Sequence, residues 1–331
     1  IVDSYTFNGS NFMTSHTNSL GDVTTYTVDA SGNRTATTFE TVTNPATQTA
    51  STSATYTGSG QLATSTDEQG TVTSYTYYST GLKTGLLEKV RIDPTGLDIT
   101  TTYDYNDAGD VVSVQGPRGF TTTYTYDALR RVVETEAPSP LSYRVQNDWD
   151  GNSNLVERRV ENIDKDGTQS GSHPWITTAY TYTDRDQVET IVEDVTSSTT
   201  RTTEYEYDDV GNRVLLIRPE GNKEAWTYNE RNLVATHVRG YTDGDASTRS
   251  WVYDDNGNPT GFTNGRSYTT TTTFDAFDRR TKVTNAAGHY TEFTLDELGQ
   301  ITEVAKYDSS HNQLQRESRY YDERGRLWKT S

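Results

Sequence analysis

Tyr205-Glu206-Tyr207-Asp208-Asp209-Val210-Gly211-Asn212-Arg213 is the stretch on which the reading of this chain turns. Rings two residues apart lie on one face of a strand, because successive strand side chains point to opposite sides. Asp208 is suited to accept a backbone N–H at the first corner of a turn. Gly211, three residues on, supplies the left-handed conformation that ends it. Nine residues therefore spell a strand, a tight turn and the start of a returning strand.

The same pattern recurs along the whole chain. Its Asp position falls at Asn8, Asp29, Thr57, Tyr78, Asn106, Asp127, Asp150, Thr183, Asp208, Asn229, Asp254, Asp275, Asp296 and Asp322. An interval of 21 residues occurs six times among these fourteen units, with insertions between the other copies. The signature is carried by Tyr124, Tyr126 and Asp127, by Tyr205, Tyr207, Asp208 and Gly211, and by Tyr253, Asp254 and Gly257. Asp296 with Gly299, and Tyr321 with Asp322 and Gly325, complete it. Where the glycine is missing, Asn11, Asp186, Asn232 and Asp278 stand in, residues that best tolerate positive φ.

A second turn lies inside many units, at Asp67 to Gly70, Gly116 to Gly119, Arg218 to Gly221 and Asn285 to Gly288. Each unit is thus two strands of about seven residues, roughly 23 Å each, in an antiparallel meander. Runs such as Thr121-Thr122-Thr123-Tyr124-Thr125-Tyr126 have strong β propensity. About 28 strands exceed the roughly ten that a twisted open sheet tolerates. The fold class expected is all-β: hairpin repeats wound into a spiral sheet, a curved shell or barrel wall whose coils pair with one another. The longer insertions, Glu136 to Ser142, Asp164 to Trp175, Val195 to Thr200 and Gly240 to Arg249, read as surface loops.

Composition agrees with a thin wall. Leu, Ile, Val and Phe number 56 of 331 residues, too few for a solid core of ordinary size, while 23 Tyr and 5 Trp argue against disorder. The absence of Cys excludes disulfides, thiolate metal sites and thiol nucleophiles. A net charge of −18 argues against nucleic acid and anionic lipid as partners. No window is long and apolar enough for a membrane-spanning helix, and the first residues show no export signal.

Tyr321-Asp322-Glu323-Arg324-Gly325-Arg326-Leu327, Tyr207-Asp208-Asp209-Val210-Gly211-Asn212-Arg213 and Tyr124-Thr125-Tyr126-Asp127-Ala128-Leu129-Arg130-Arg131 closely resemble the YD repeats of Rhs proteins, Tc-toxin B and C components, wall-associated proteins and teneurins. The resemblance spans nearly all of residues 1–331, a single array of about fourteen units that reads as an excerpt of a longer chain. It implies a spiral β-sheet shell, which in bacterial members encloses a C-terminal toxin and in teneurins belongs to a cell-surface adhesion receptor. Flanking repeats and a cargo effector domain of the same parent chain are the implied partners, in a secreted or cell-surface bacterial setting. Such shells usually finish with an Asp-Pro-x-Gly-Leu segment where an aspartate-dependent self-cleavage releases the effector. Asp93-Pro94-Thr95-Gly96-Leu97 matches those letters, but it sits within the repeat series and reads as a Pro-containing turn.

No catalytic, cofactor or metal site emerges. The recurring Asp is explained by turn geometry, and the remaining carboxylates scatter without a glycosidase-like pair. His16, His173, His237, His289 and His311 lack metal-ligand spacing. Asp148 to Asn152 and Tyr253 to Asn258 are rich in oxygen ligands, but neither completes a calcium loop. The aromatic rows read as cross-strand ladders that stiffen the wall. The competing reading is an extracellular adhesive or carbohydrate-binding repeat, in which those rings stack sugars or contact another cell-surface protein.

Overall fold

The computed structural model describes residues 3–41, 49–140, 142–164, 167–322 and 325–331. Among them every regular element of four or more residues is a strand, numbered in chain order from β1 (Ser4–Phe7) to β28 (Leu327–Thr330). The protein is all-β and antiparallel, with the 28 strands that the turn spacing predicts. It divides into two compact units, Ile1–Asp148 with Arg158–Ile176, and Trp149–Glu157 with Thr177–Ser331.

Within the first unit, β9 (Ile99–Tyr105), β10 (Val111–Gln115), β11 (Thr121–Tyr126) and β12 (Val132–Glu136) show the rule. Val114 stands between Tyr103 of the preceding strand and Thr122 of the following one. In the second unit β17 (Thr199–Tyr207), β18 (Arg213–Ile217), β19 (Lys223–Tyr228), β20 (Val234–Arg239) and β21 (Ser247–Tyr253) repeat it, with Leu216 set between Tyr205 and Glu224. In each unit the pairings join chain neighbours, so the sheet is an unclosed meander and the expected coil-to-coil pairing is not present among the described residues.

The residues that alternate along these strands make two unlike faces. Cross-strand neighbours place Tyr205, Leu216, Glu224, Trp226 and His237 on one side of the second unit. Glu206, Leu215, Ala225 and Thr236 are on the other. The aromatic face is half-buried by its own rings. The opposite face is laced by hydroxyl pairs, such as Thr227 to Thr236 at 2.7 Å and, in the first unit, Thr55 to Thr64 at 2.6 Å.

The sheet has almost no interior. Among the described residues only Leu216, Ala305 and Asp22 are buried, and no large side chain is fully enclosed. Stability therefore rests on ladder hydrogen bonds and on half-burial of rings against their neighbours, contributions of a few tenths to about 1 kcal/mol per cross-strand pair.

Three local expectations change. At Tyr78 the glycine three residues on, Gly81, does not close the turn; Gly85 donates to the Tyr78 carbonyl at 2.8 Å across a longer loop. Val195 to Thr200 is not a loop. β16 (Val188–Thr196) and β17 run on to a tight tip at Ser197 and Ser198, with Thr196 paired to Thr199. Polar β-branched residues read as loop by composition but extend readily as strand. Likewise Ser247 to Arg249, expected in a loop, already belong to β21. Leu141, Lys165 and Asp166, within two other expected loops, lie outside the described residues. Asp93 to Leu97 forms the tip between β8 (Leu87–Ile92) and β9, where the Leu97 N–H donates to Asp93 Oδ2 at 2.8 Å.

Candidate functional site: the turns and their tyrosine clamps

The Asp208 turn shows how the signature works. The Gly211 N–H donates to the Asp208 carbonyl at 3.0 Å, and the Asp208 N–H donates to the Asn212 carbonyl at 2.9 Å. Gly211 sits at φ 97. This is a type I turn followed by a left-handed residue, a three-residue hairpin loop with a bulge. The pairing register slips beside it, between Glu206 and Tyr207. The Asp208 carboxylate serves both sides of the loop: Oδ1 accepts the Val210 and Asn212 N–H groups at 3.1 and 2.8 Å, and Oδ2 accepts Asn212 Nδ2 at 2.9 Å.

Asp127, Asp254, Asp296 and Asp322 open turns of the same kind. Gly257, Gly299 and Gly325 take the left-handed position at φ 91, 83 and 75. Asn11, Asp186, Asn232 and Asp278 occupy it at φ 59 to 61. Arg130 and Ser153 also occupy it, which no residue preference would have suggested. Thr183 opens its turn with a hydroxyl whose contacts stretch to 3.3 Å, longer than those of the charged acceptors.

Electrostatics follow the hydrogen bonds. The Asn212 side chain and the loop N–H groups outweigh partial burial and hold Asp208 below the usual carboxylate range. At Asp127 the Arg131 N–H and guanidinium do the same. At Asp254 burial pushes upward, but the Asn258 side chain and loop amides prevail and the carboxyl ends lowered.

The tyrosine before the Asp has a job that spacing did not reveal. Tyr207 donates its phenol hydrogen to the Val188 carbonyl at 2.8 Å. Tyr126 donates to Val111 at 2.7 Å, Tyr253 to Val234 at 2.9 Å and Tyr321 to Ile301 at 2.9 Å. Tyr56, Tyr77, Tyr105, Tyr182 and Tyr228 make the same bond. Except for Tyr105, whose acceptor Leu87 follows the longer loop after Tyr78, each acceptor is the fifth residue after the preceding turn's opening position, where the bulge loosens the ladder. Burial pushes the phenols of Tyr126, Tyr207 and Tyr253 upward from their ordinary value. Tyr124 and Tyr205, one pleat earlier on the same face, make no such clamp among the described residues; Arg213 lies 5.8 Å over the Tyr205 ring.

Side chains of the loops, at the fourth position after the Asp in every case but Arg231, which is second after Asn229, join consecutive turns. In the second unit Asn154 reaches Asp186 Oδ1 at 2.7 Å, Gln187 the Gly211 carbonyl at 2.8 Å and Asn212 the Asn232 amide oxygen at 3.1 Å. Arg231 then bonds the carbonyls of Asp254 and Asp255. Asn258 reaches Asp278 at 2.6 Å, Arg279 the Asp296 carbonyl at 2.8 Å and Gln300 the Gly325 carbonyl at 3.2 Å. Eight successive turns, from Asp150 to Asp322, are tied in one row.

The aromatic rings pair with one another across strands. Trp226 stacks on His237 with centroids 4.8 Å apart, Trp251 meets Phe262 at 5.3 Å and Tyr290 stacks on Tyr307 at 4.7 Å. Among the described residues no group of three or more His, Asp or Glu side chains is disposed to hold a metal.

The sequence profile described as RHS Repeat matches residues 105–139 and 253–290. Both matches begin on a clamping tyrosine, Tyr105 or Tyr253, and run through the turn it precedes. These two segments carry the RHS repeat, and the chain is similar to the YD/RHS-repeat family. A Photorhabdus luminescens Tc holotoxin pore structure shares its fold, at 12% identity and a TM-score of 0.51, over 98% of this chain and 21% of that one. A TcdB2-TccC3-Cdc42 crystal structure aligns at 14% identity and a TM-score of 0.45, over 99% of this chain and 18% of that one. The chain spans about a fifth of the length of these structures. Comparison with curated proteins returns no match.

Proposed function

We propose that this RHS-repeat array is wall material of a secreted bacterial shell that encloses an effector belonging to the same parent chain. One observation carries the reading: a sheet one layer thick, almost without buried residues, whose turns are tied to one another. Such a sheet covers area at little cost in apolar residues. The signature carboxylates are engaged in holding turns, so the reading assigns the chain a structural rather than a catalytic role. The family match and the fold shared with the Tc holotoxin pore support it. The signature residues from Tyr124 to Gly325 are proposed as the elements that keep the wall in register.

The adhesive, sugar-binding alternative loses ground because Trp226, Trp251 and Tyr290 spend ring faces on their cross-strand neighbours. Electron microscopy of the parent protein tests the proposal. A hollow particle with density inside it is expected, and an open array without interior density would overturn it.

A further inference from the structure

The chain carries a net charge of −18, yet one area of the second unit inverts the sign. On the aromatic face Trp226, His237 and Arg249 fall in one row across β19, β20 and β21, and the Arg213 guanidinium of β18 reaches over its end. Arg218 and Arg239 flank it. Arg213 lies 4.5 Å over the Trp226 ring, and Arg249 stands directly across the ladder from His237 and makes no ion pair among the described residues. Opposite-charge pairs are what stabilise a ladder, and Arg249 has no carboxylate partner across it among the described residues.

The area already shows which anion it takes. Glu224, whose side chain is 12% exposed, receives Arg218 Nη2 at 2.8 Å and His237 Nε2 at 2.7 Å, with Arg239 Nε at 3.9 Å. Burial pushes this carboxyl upward, but Arg218 and His237 outweigh it and keep it ionised. Glu224 neutralises one cation of the group, and Glu220 lies near Arg218. Arg239, 60% exposed, and half-buried Arg249 keep most of their donors for other acceptors.

We propose that this face binds an extended acidic polypeptide through its carboxylates, with Arg239 and Arg249 as the principal contacts. Arginine forks match carboxylates in paired geometry. The cations spread over three strand spacings, about 14 Å, which suits a chain with several carboxylates better than a small acid. A peptide is favoured over a glycan because Trp226 has no ring face left to stack on a sugar: His237 covers it from β20 and Arg213 from β18.

The test is fluorescence anisotropy of a labelled ten-residue poly-glutamate peptide with the intact chain, at low and high salt. Saturable binding at low salt is expected in spite of the chain's own negative charge, and it should weaken steeply as salt screens it. Arg239→Glu and Arg249→Glu should each weaken it about tenfold, and Arg239→Gln and Arg249→Gln should show a smaller loss in the same direction. Arg266→Glu, at the exposed tip after Asn264, should leave it unchanged. Melting curves establish that each variant is folded. Absence of saturable binding, an equal loss in Arg266→Glu, or tighter binding of an oligogalacturonate of equal charge would each overturn the proposal.

Discussion

Removing the phenol oxygen of Tyr207 leaves the Val188 carbonyl without its donor while the ring stays in place. Tyr207→Phe and Tyr126→Phe should each cost about 1 kcal/mol in urea unfolding, with an unchanged dependence on denaturant. Glycine positions separate two effects that usually come together. Gly32 and Gly60 both sit at positive φ, 85 and 80, where a side chain costs about 1–2 kcal/mol. A Cβ on Gly32 would also stand 2.4 Å from the Phe12 ring, whereas one on Gly60 meets nothing within 4 Å. Gly32→Ala should therefore lower the melting temperature clearly more than Gly60→Ala, and equal shifts would show that backbone strain alone decides. Asp208→Asn should retain the loop acceptor and lose only part of what Asp208→Ala loses.

At the scale of the hairpin, the ties between turns make each loop answer to the next one. Gln187→Ala removes the donor to the Gly211 carbonyl, so hydrogen exchange at the Gly211 and Asn212 amides should quicken while the Asp296 turn stays protected. Exchange that quickens evenly over both turns would mean that the row is not coupled locally. This scale also separates what could be read from sequence from what could not. Loops were legible because opener and closer lie three residues apart, so Asp186, Asn232 and Asp278 could be foreseen at positive φ from residue type. Arg130 and Ser153 could not, since the loop holds them there against their own preference. The tyrosine clamp was invisible because its acceptor lies a variable distance back, 15 residues for Tyr126 and 27 for Tyr182. At Tyr78 a glycine at the expected spacing pointed to the wrong closure, because Gly81 and Gly85 both sit at positive φ.

Across the whole chain, the repeated clamp gives the array a common response to alkali. The phenols of Tyr77, Tyr105, Tyr126, Tyr182, Tyr207, Tyr228 and Tyr253 are all pushed above the ordinary value of 10.0, chiefly by burial. The folded chain thus holds those protons more tightly than the unfolded one. Their contribution is complete below pH 10.0 and is lost as pH rises from there through the higher folded values. Circular dichroism should show stability falling above about pH 10, and Tyr→Phe variants at the clamps should flatten that fall. The lowered carboxyls of Asp29, Asp208 and Asp275 act in the opposite sense: their stabilisation is present above the ordinary value of 3.8 and fades as pH drops through the lower folded values.

The clamp has one more consequence. Because a tyrosine reaches its carbonyl whether that carbonyl lies 15 or 27 residues back, the segment between them is released from the demand to keep count. Insertions can enter the connections, as they have before Tyr182, without displacing the strands that follow. Heredity can thus rewrite the outline of such a wall, one connection at a time, while every course is laid on the same line.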